Sequence, residues 1–308
     1  MVGFAMSRMR GAAIVLAMLI AALAAAVAAT VLADQQRWLR RVEHRRDQVQ
    51  AQALAMAGLS WALQIIDEDA RRSGIDHLGE PWALTLPPIP LENGEVRGAI
   101  VDAQGRLNIN ALGASGASAE QERTRLSRFI AQRGMPPGVL GAMADWLDAD
   151  GAAEESGGED AFYLAQPVPR LAANAPVLRT AELGAVKGMT PRMLETILPY
   201  LSALPAGTPV NVNTASREVL SAIVGNSGGE GLEALLADRA RKPFTTVAEF
   251  RARLPEGFTL ASDAALSVSS SYFYATIEAR QGATRSRARA LLHREAGGKP
   301  TIVWQVVE

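Results

Sequence analysis

Between Ala12 and Ala33 the chain carries no charge, and Thr30 is the sole polar side chain. No other feature constrains the fold as strongly. A hydrocarbon core about 30 Å thick is crossed by about 20 helical residues, so this run spans a bilayer with little to spare. A secretory signal core covers about 7–15 residues, and the run is long for a segment meant only for removal. It is also rich in Ala and so weakly hydrophobic per residue. Small side chains let helix backbones approach closely. That suits a helix that later leaves lipid to pack against other helices.

The residues beyond the run continue the helix. Trp38, Val42, Val49, Ala53, Met56, Leu59, Leu63 and Ile66 recur at steps of three, four and seven, which predicts one apolar stripe on a 3.6-residue period. Arg37, Arg40, Arg41, Arg45 and Arg46 mostly take the other faces, no Pro occurs before Pro81, and Gly74 supplies a stop after Arg71-Arg72. From Ala12 to Ser73 such a helix is about 90 Å long at 1.5 Å per residue.

A short basic leader, Met6-Ser-Arg-Met-Arg-Gly11, precedes this helix. A leader ending in Gly, a hydrophobic helix and a long amphipathic continuation together resemble the type IV pilin-like proteins. The resemblance implies removal of the leader by prepilin peptidase between Gly11 and Ala12, with methylation of the new terminus. Most of that superfamily carries Glu at the fifth residue after the cut; here it is Leu16. That departure is similar to the K-type minor pseudopilins of type II secretion. A carboxylate in lipid is costly unless it meets a cation, and in these fibres it is thought to meet the terminal amine of the subunit above. A subunit at the tip has nothing above it.

Two readings of the N-terminus compete with this one. Val31-Leu32-Ala33 resembles a signal-peptidase site, and cleavage there would release a secreted or periplasmic binding module starting at Asp34. Positive charge also favours the cytoplasmic side. Arg8 and Arg10 before the segment are outnumbered by the arginines from Arg37 to Arg46 after it. Counted alone, this places the C-terminal side in the cytoplasm, against the pilin-like topology.

The remainder of the 308-residue chain suffices for one large or two small cores. A net charge of −1 argues against a general nucleic-acid binder. Without Cys, neither disulfides nor thiolate metal sites arise. His44, His77 and His293 are too scattered for a His-based triad or metal site.

Pro81–Pro90 reads as a proline-rich connector. Glu95–Asp102 and Arg106–Asn110 read as strands around a turn, and strands return at Leu266–Glu278, Arg285–Arg294 and Thr301–Glu308. Between them the predicted helices are Ala119–Arg133, Pro137–Asp148, Thr180–Val186, Pro191–Tyr200, Ser216–Val224, Glu230–Arg239 and Val247–Arg253. The expected fold class is α+β: a pilin-like long N-terminal helix packed on an antiparallel sheet, with a large all-helical, SAM-like insertion between strands. The expected parts are a leader (1–11), a transmembrane stretch (12–33) and a periplasmic helix with the first strands (34–111). A first helical region with an acidic loop (112–210), a second helical region (211–265) and the last strands (266–308) follow. Trp38 is expected at the membrane interface, and Trp61 to pack the helix onto the sheet. Leu16, Trp38 and Val42 mark the membrane and assembly face of the helix.

Three motifs invite chemistry. Asn211-Val-Asn-Thr-Ala-Ser216 resembles helix-hairpin-helix modules that hold DNA phosphates, but Gly225-Asn-Ser-Gly-Gly229 lacks the tight Gly-x-Gly and no basic stripe rims it. The bland reading has Thr214 or Ser216 capping a helix. The same glycine loop echoes a protease nucleophile, yet no His and acid accompany it. The cluster Asp145, Asp148, Asp150, Glu154, Glu155, Glu159 and Asp160 is the most chemical part of the chain. Oxygen ligands without His or Cys select a hard ion, with Ca²⁺ foremost; the alternative is a solvated acidic loop. Counted from Asp148, positions three, seven and twelve are acidic, but positions five and six are Ala152 and Ala153, so this is no EF-hand.

The insertion pieces Thr180–Met189 and Asn211–Phe250 are similar to those of the K pseudopilins, extending the resemblance over almost the whole chain. It implies calcium in the insertion, with Asp148, Asp150, Glu159 and Asp160 matching the family's Trp-x-Asp-x-Asp … Glu-Asp pattern. It also implies a non-enzymatic protein in the bacterial inner membrane with its bulk in the periplasm. Its implied role is to start the pseudopilus at its tip and support export of folded proteins across the outer membrane. The implied partners are the I, J and H minor pseudopilins, the major pseudopilin and prepilin peptidase, with no nucleic acid.

Overall fold

The computed structural model describes residues 5–85, 87–225, 229–295 and 297–308. Helix α1 runs unbroken over Ala5–Ala70. None of its apolar window is covered, and it is the one described helix long and apolar enough to cross a membrane. The second half lies on a five-stranded antiparallel sheet of β1 (Ile89–Leu91), β2 (Gly94–Asp102), β7 (Tyr272–Gln281), β8 (Thr284–His293) and β9 (Thr301–Val307), in that spatial order. Two short parallel pairs lie outside it. They are β3 (Leu107–Asn108) with β4 (Leu201–Ser202), and β5 (Val210–Asn211) with β6 (Leu266–Ser267).

The face of α1 on the sheet is Ala51, Ala55, Leu59, Ala62 and Ile66, all buried. It is built largely from small residues, and the predicted stripe is therefore only partly the packed one. Leu59 and Ile66 belong to both, while Trp38, Val42, Val49 and Met56 are exposed. Small side chains bring the helix backbone down onto β7. A Cβ at Gly58 would lie 2.6 Å from Ile277 Cγ2, and one at Gly98 on β2 would lie 2.6 Å from Ile277 Cδ1. Ile277 thus fills the space two glycines leave. Overpacking such a site costs about 1–3 kcal/mol, so Gly58→Leu is expected to lower the thermal midpoint of the full-length protein in detergent. Gly74→Leu, which has open space around it, serves as the control and should leave the midpoint unmoved.

Trp61 is not part of the buried contact between helix and sheet: it is 47% exposed, at the rim of a groove it shares with Ile89, Val96 and Ile277. Trp82 fills that role, buried against Phe273 with ring centroids 5.3 Å apart. The proline-rich connector holds a strand, β1, because it is an edge strand and an edge tolerates the missing N–H of Pro90. Arg106–Asn110 is not the second arm of a hairpin. Gln104 N donates to Asp102 Oδ1 (2.7 Å) and turns the chain out of the sheet, and only Leu107–Asn108 remains extended. The Asn108 side chain then accepts from Asn110 N and starts a 3₁₀ turn, Ile109–Ala111.

The insertion between β2 and β7 carries α2 (Ala117–Gln132), α3 (Gly138–Leu147), α4 (Asp160–Leu164), α5 (Pro191–Ile197), α6 (Arg217–Ile223), α7 (Gly229–Arg241) and α8 (Val247–Ala252). Thr180–Ala185 and Leu198–Tyr200 are 3₁₀ rather than α. The insertion has its own core around Phe129, Tyr163, Phe244 and Phe250, separate from the core under α1. Ser216 caps α6 by accepting from Val219 N (3.3 Å). Thr214 is drawn elsewhere, donating to Asp102 Oδ2 (2.5 Å).

Candidate functional site

The acidic run connects α3 to α4. Asp148 is the C-cap of α3, its N–H bonded to Ala144 O (2.9 Å), and Glu159 is the N-cap of α4. Asp145 is wholly buried and accepts Glu154 N with both oxygens (3.1 Å each), which folds the loop back over the helix. Gly157 makes that fold possible, since a Cβ there would sit 1.7 Å from Asp145 Oδ2. Lys187 closes the outer side by donating to Gly157 O.

This scaffold sorts the carboxylates. Asp148, Asp150 and Glu159 converge, each offering an oxygen within 4.8 Å of the others. Asp148 Oδ1 and both Glu159 oxygens are buried with no hydrogen-bond donor among the described residues. Burial, and then the neighbouring carboxylates, push the pKa values of Asp148 and Glu159 above the usual carboxylate range. Of the other acids, Glu155 is exposed to water and the rest are committed elsewhere. Glu154 is held by Arg123. Asp160, matched to the metal set by resemblance, lies outside the group of three, and its Oδ1 accepts from Ala172 N (2.9 Å).

A second trio, Asp69, Asp76 and Glu80, is equally close-set and more deeply buried. It differs in having its own cation. Arg294 donates to Asp76 Oδ1 and Oδ2 (2.6 and 2.7 Å) and to Asp69 (3.2 Å), while Glu80 accepts from Trp82 Nε1 and His77 N. A buried carboxylate with no partner is expensive. The Arg294 cluster has a cation of its own and N–H donors on all three carboxylates; the loop cluster is left with bare oxygens and no cation among the described residues. Three oxygen ligands with no nitrogen or sulfur fit a hard cation such as Ca²⁺, which takes the remainder of its six to eight oxygens from backbone or water.

On α1, Leu16 is 57% exposed and Trp38 and Val42 are also uncovered by the chain's own fold. Ala12 is exposed and follows Gly11 within the same helix. The Asn211–Ser216 motif faces inward. Asn213 bonds Phe244 with both ends of its amide (2.8 and 2.9 Å), and Arg239 donates to Val212 O and Ala215 O. Those groups hold the insertion together and offer no surface for phosphates. Residues 226–228 of the glycine loop lie outside the described residues.

Family models for type II secretion system protein K match residues 105–206 and 210–269, together more than half of the chain. The chain is 31% identical to type II secretion system protein K of Pseudomonas aeruginosa, covering 95% of this chain and 91% of that one. The chain belongs to the type II secretion system protein K family. A second member, from Pectobacterium carotovorum, is 30% identical over 93% of each chain. Among solved structures, a chain of the GspK-GspI-GspJ complex from enterotoxigenic Escherichia coli superposes with a TM-score of 0.77 at 25% identity. The match covers 87% of this chain and 99% of that one. The pilin-like α+β fold is therefore the protein K fold, and the chain is a minor pseudopilin of type II secretion. An anchoring apolar helix at its N-terminus fits that role.

Sequence reasoning missed Arg123, Arg294 and Lys187, the cations that decide which acids are free. No local signal marks them, because each meets its carboxylate or carbonyl across 30 residues or more.

Proposed function

We propose that this protein K is the tip subunit of a type II secretion pseudopilus, anchored by α1 in the inner membrane with its bulk in the periplasm. There it starts fibre assembly with the other minor pseudopilins, and its role is structural, not catalytic. Leu16 carries the reading. A helix that must bind a subunit above it benefits from a carboxylate at this depth, and a helix with nothing above it does not. The exposed Trp38, Val42, Val49 and Met56 form a second apolar face for helices alongside and below. The similar solved chain belongs to a complex with GspI and GspJ, which makes the I and J types the first candidates for those neighbours.

In this reading prepilin peptidase cuts between Gly11 and Ala12. N-terminal sequencing of protein extracted from membranes is expected to start at Ala12, with a methylated amine. A start at Asp34 would mean ordinary secretion and sink the proposal. Tip location is tested separately by counting copies in isolated fibres, where a stoichiometric presence along the shaft would overturn it.

We also assign Ca²⁺ to Asp148, Asp150 and Glu159. The ion would supply the positive charge their unpartnered oxygens lack and clamp the end of α3 to the start of α4. Asp145, Gly157 and Arg123 position the loop for it.

A further inference from the structure

A cleft of about 310 Å³ opens between the outer face of the sheet, the side away from α1, and the 3₁₀ turn Thr180–Ala185 of the insertion. Its cationic lining is Arg106, Arg179 and Arg289; its apolar wall includes Tyr274, Trp304 and Val306. Among the described residues no carboxylate lines it.

Most other arginines on this face meet a carboxylate, and Arg285, which has no ion pair among the described residues, is exposed to water. Arg97 and Arg287 share Glu278, Arg280 meets Glu95, and Arg289 itself reaches Glu308 at 2.7 Å. Arg106 differs. It is less exposed than any of these, yet among the described residues no carboxylate lies within ion-pair distance of it. Its guanidinium stands 5.3 Å from the centre of the Tyr274 ring. Burial lowers its basicity, and the acid whose field reaches it is Asp102. Asp102 already accepts from Gln104 N, Asn211 Nδ2, Thr214 Oγ1 and Ser270 Oγ. Across the cleft, the guanidinium of Arg179 has no carboxylate partner either among the described residues.

A half-buried guanidinium without a counter-charge is costly in a closed fold. It is useful where a carboxylate arrives from outside, because arginine binds carboxylates through paired, charge-assisted bonds. The walls favour a peptide over a small inorganic anion: aromatic and arginine side chains in one pocket are the usual anchors of a protein contact. We propose that this cleft is a docking site for an acidic segment of a partner protein, seating an Asp or Glu between Arg106 and Arg179 and its apolar neighbour against Tyr274 and Trp304. The site is independent of the tip assignment and of calcium.

The test uses the full chain in detergent and a capped decapeptide alternating Glu with Leu and Ala, alongside its Gln counterpart and inorganic phosphate. Saturable binding of the Glu peptide is expected, weakening with added salt. Arg106→Gln and the exposed-site variant Arg179→Gln are each expected to weaken it roughly tenfold or more. Arg179→Gln guards against a folding defect at the half-buried position, since its side chain is exposed. Equal binding of the Gln peptide, preference for phosphate, unchanged affinity in both variants, or no binding of the Glu peptide by the wild type would each overturn the proposal.

Discussion

Arg294→Ala is expected to destabilise the protein by about 3–5 kcal/mol, the cost of stripping one partner from a buried ion pair. At about 2–4 °C per kcal/mol for a chain of this class, the thermal midpoint in detergent falls by roughly 10 °C. The residue follows β8 and reaches four groups from separate parts of the chain: Asp76, Asp69, Ile66 O and Ser270 O. Ser270 continues the network, donating its N–H to Asp76 (2.7 Å) and its hydroxyl to Asp102 (2.6 Å), and Asp102 also accepts from Asn211 and Thr214 of the insertion. Removing Arg294 therefore leaves buried charge at the seam between the helix-and-sheet core and the insertion. The pH dependence distinguishes this from simple loss of packing. Asp69 is raised to about 6, first by burial and then by Glu80 and Asp76, with Arg294 pulling it down. A carboxyl with a raised folded value holds more protons folded than unfolded, so its contribution falls as pH rises from about 4 through about 6. Without Arg294 the folded value moves higher and the fall continues above pH 6. The loss caused by the substitution should thus be larger at pH 8 than at pH 5; equal losses at both would assign the effect to packing.

The long helix, the C-terminal strands and most of the insertion's helices were legible because they are periodic. Tyr272–Gln281 and Thr284–His293 alternate buried and open positions along most of their length. What the pattern hid is instructive. The packed face of α1 is carried by Ala51, Ala55 and Ala62, which weigh little on any hydrophobicity scale, whereas Trp38, Val42 and Val49 weigh heavily and face outward. In a monomeric protein that assignment would be perverse. In the fibre subunit proposed above, the large residues would serve neighbours the chain does not contain. Helix α4 was lost within a Gly-rich acidic stretch, where Asp160 reads as one more loop carboxylate instead of the first helical residue.

The acidic loop was legible in residue type but not in allocation. Sequence spacing treats Glu154, Glu159 and Asp160 alike. The fold gives Glu154 to Arg123 and one oxygen of Asp160 to Ala172 N, and leaves Glu159 without a donor among the described residues. Allocation depends on which cations and N–H groups the tertiary structure brings near, and those lie far off in sequence. The same logic separates the two acidic trios, one supplied with donors by Arg294, Trp82 and His77 and the other left with bare oxygens among the described residues.

Adding Ca²⁺ to chelator-treated, full-length protein is expected to raise the thermal midpoint. At a free concentration a hundredfold above the dissociation constant, binding stabilises the folded state by about 2.7 kcal/mol, or roughly 5–10 °C. Mg²⁺ should do much less, because it demands near-octahedral geometry and gives up water reluctantly. Replacing Asp148 and Asp150 together by Ala removes two of the three convergent carboxylates and should abolish the rise. Arg123→Gln should weaken it, by releasing the Glu154 end of the loop. Protons compete for the same oxygens. Asp148 and Glu159 are raised above their ordinary values, mainly by burial and then by the charge of neighbouring carboxylates. The ion-free fold therefore holds protons there that the unfolded chain has already lost, and the ion must displace them as pH falls. The calcium-induced rise should shrink steadily from pH 7.5 toward pH 5. A midpoint indifferent to Ca²⁺ at pH 7.5 would make the bare oxygens of Asp148 and Glu159 those of a hydrated loop, and α3 and α4 would be held by Asp145, Arg123, Lys187 and the Trp146–Tyr163 ring contact.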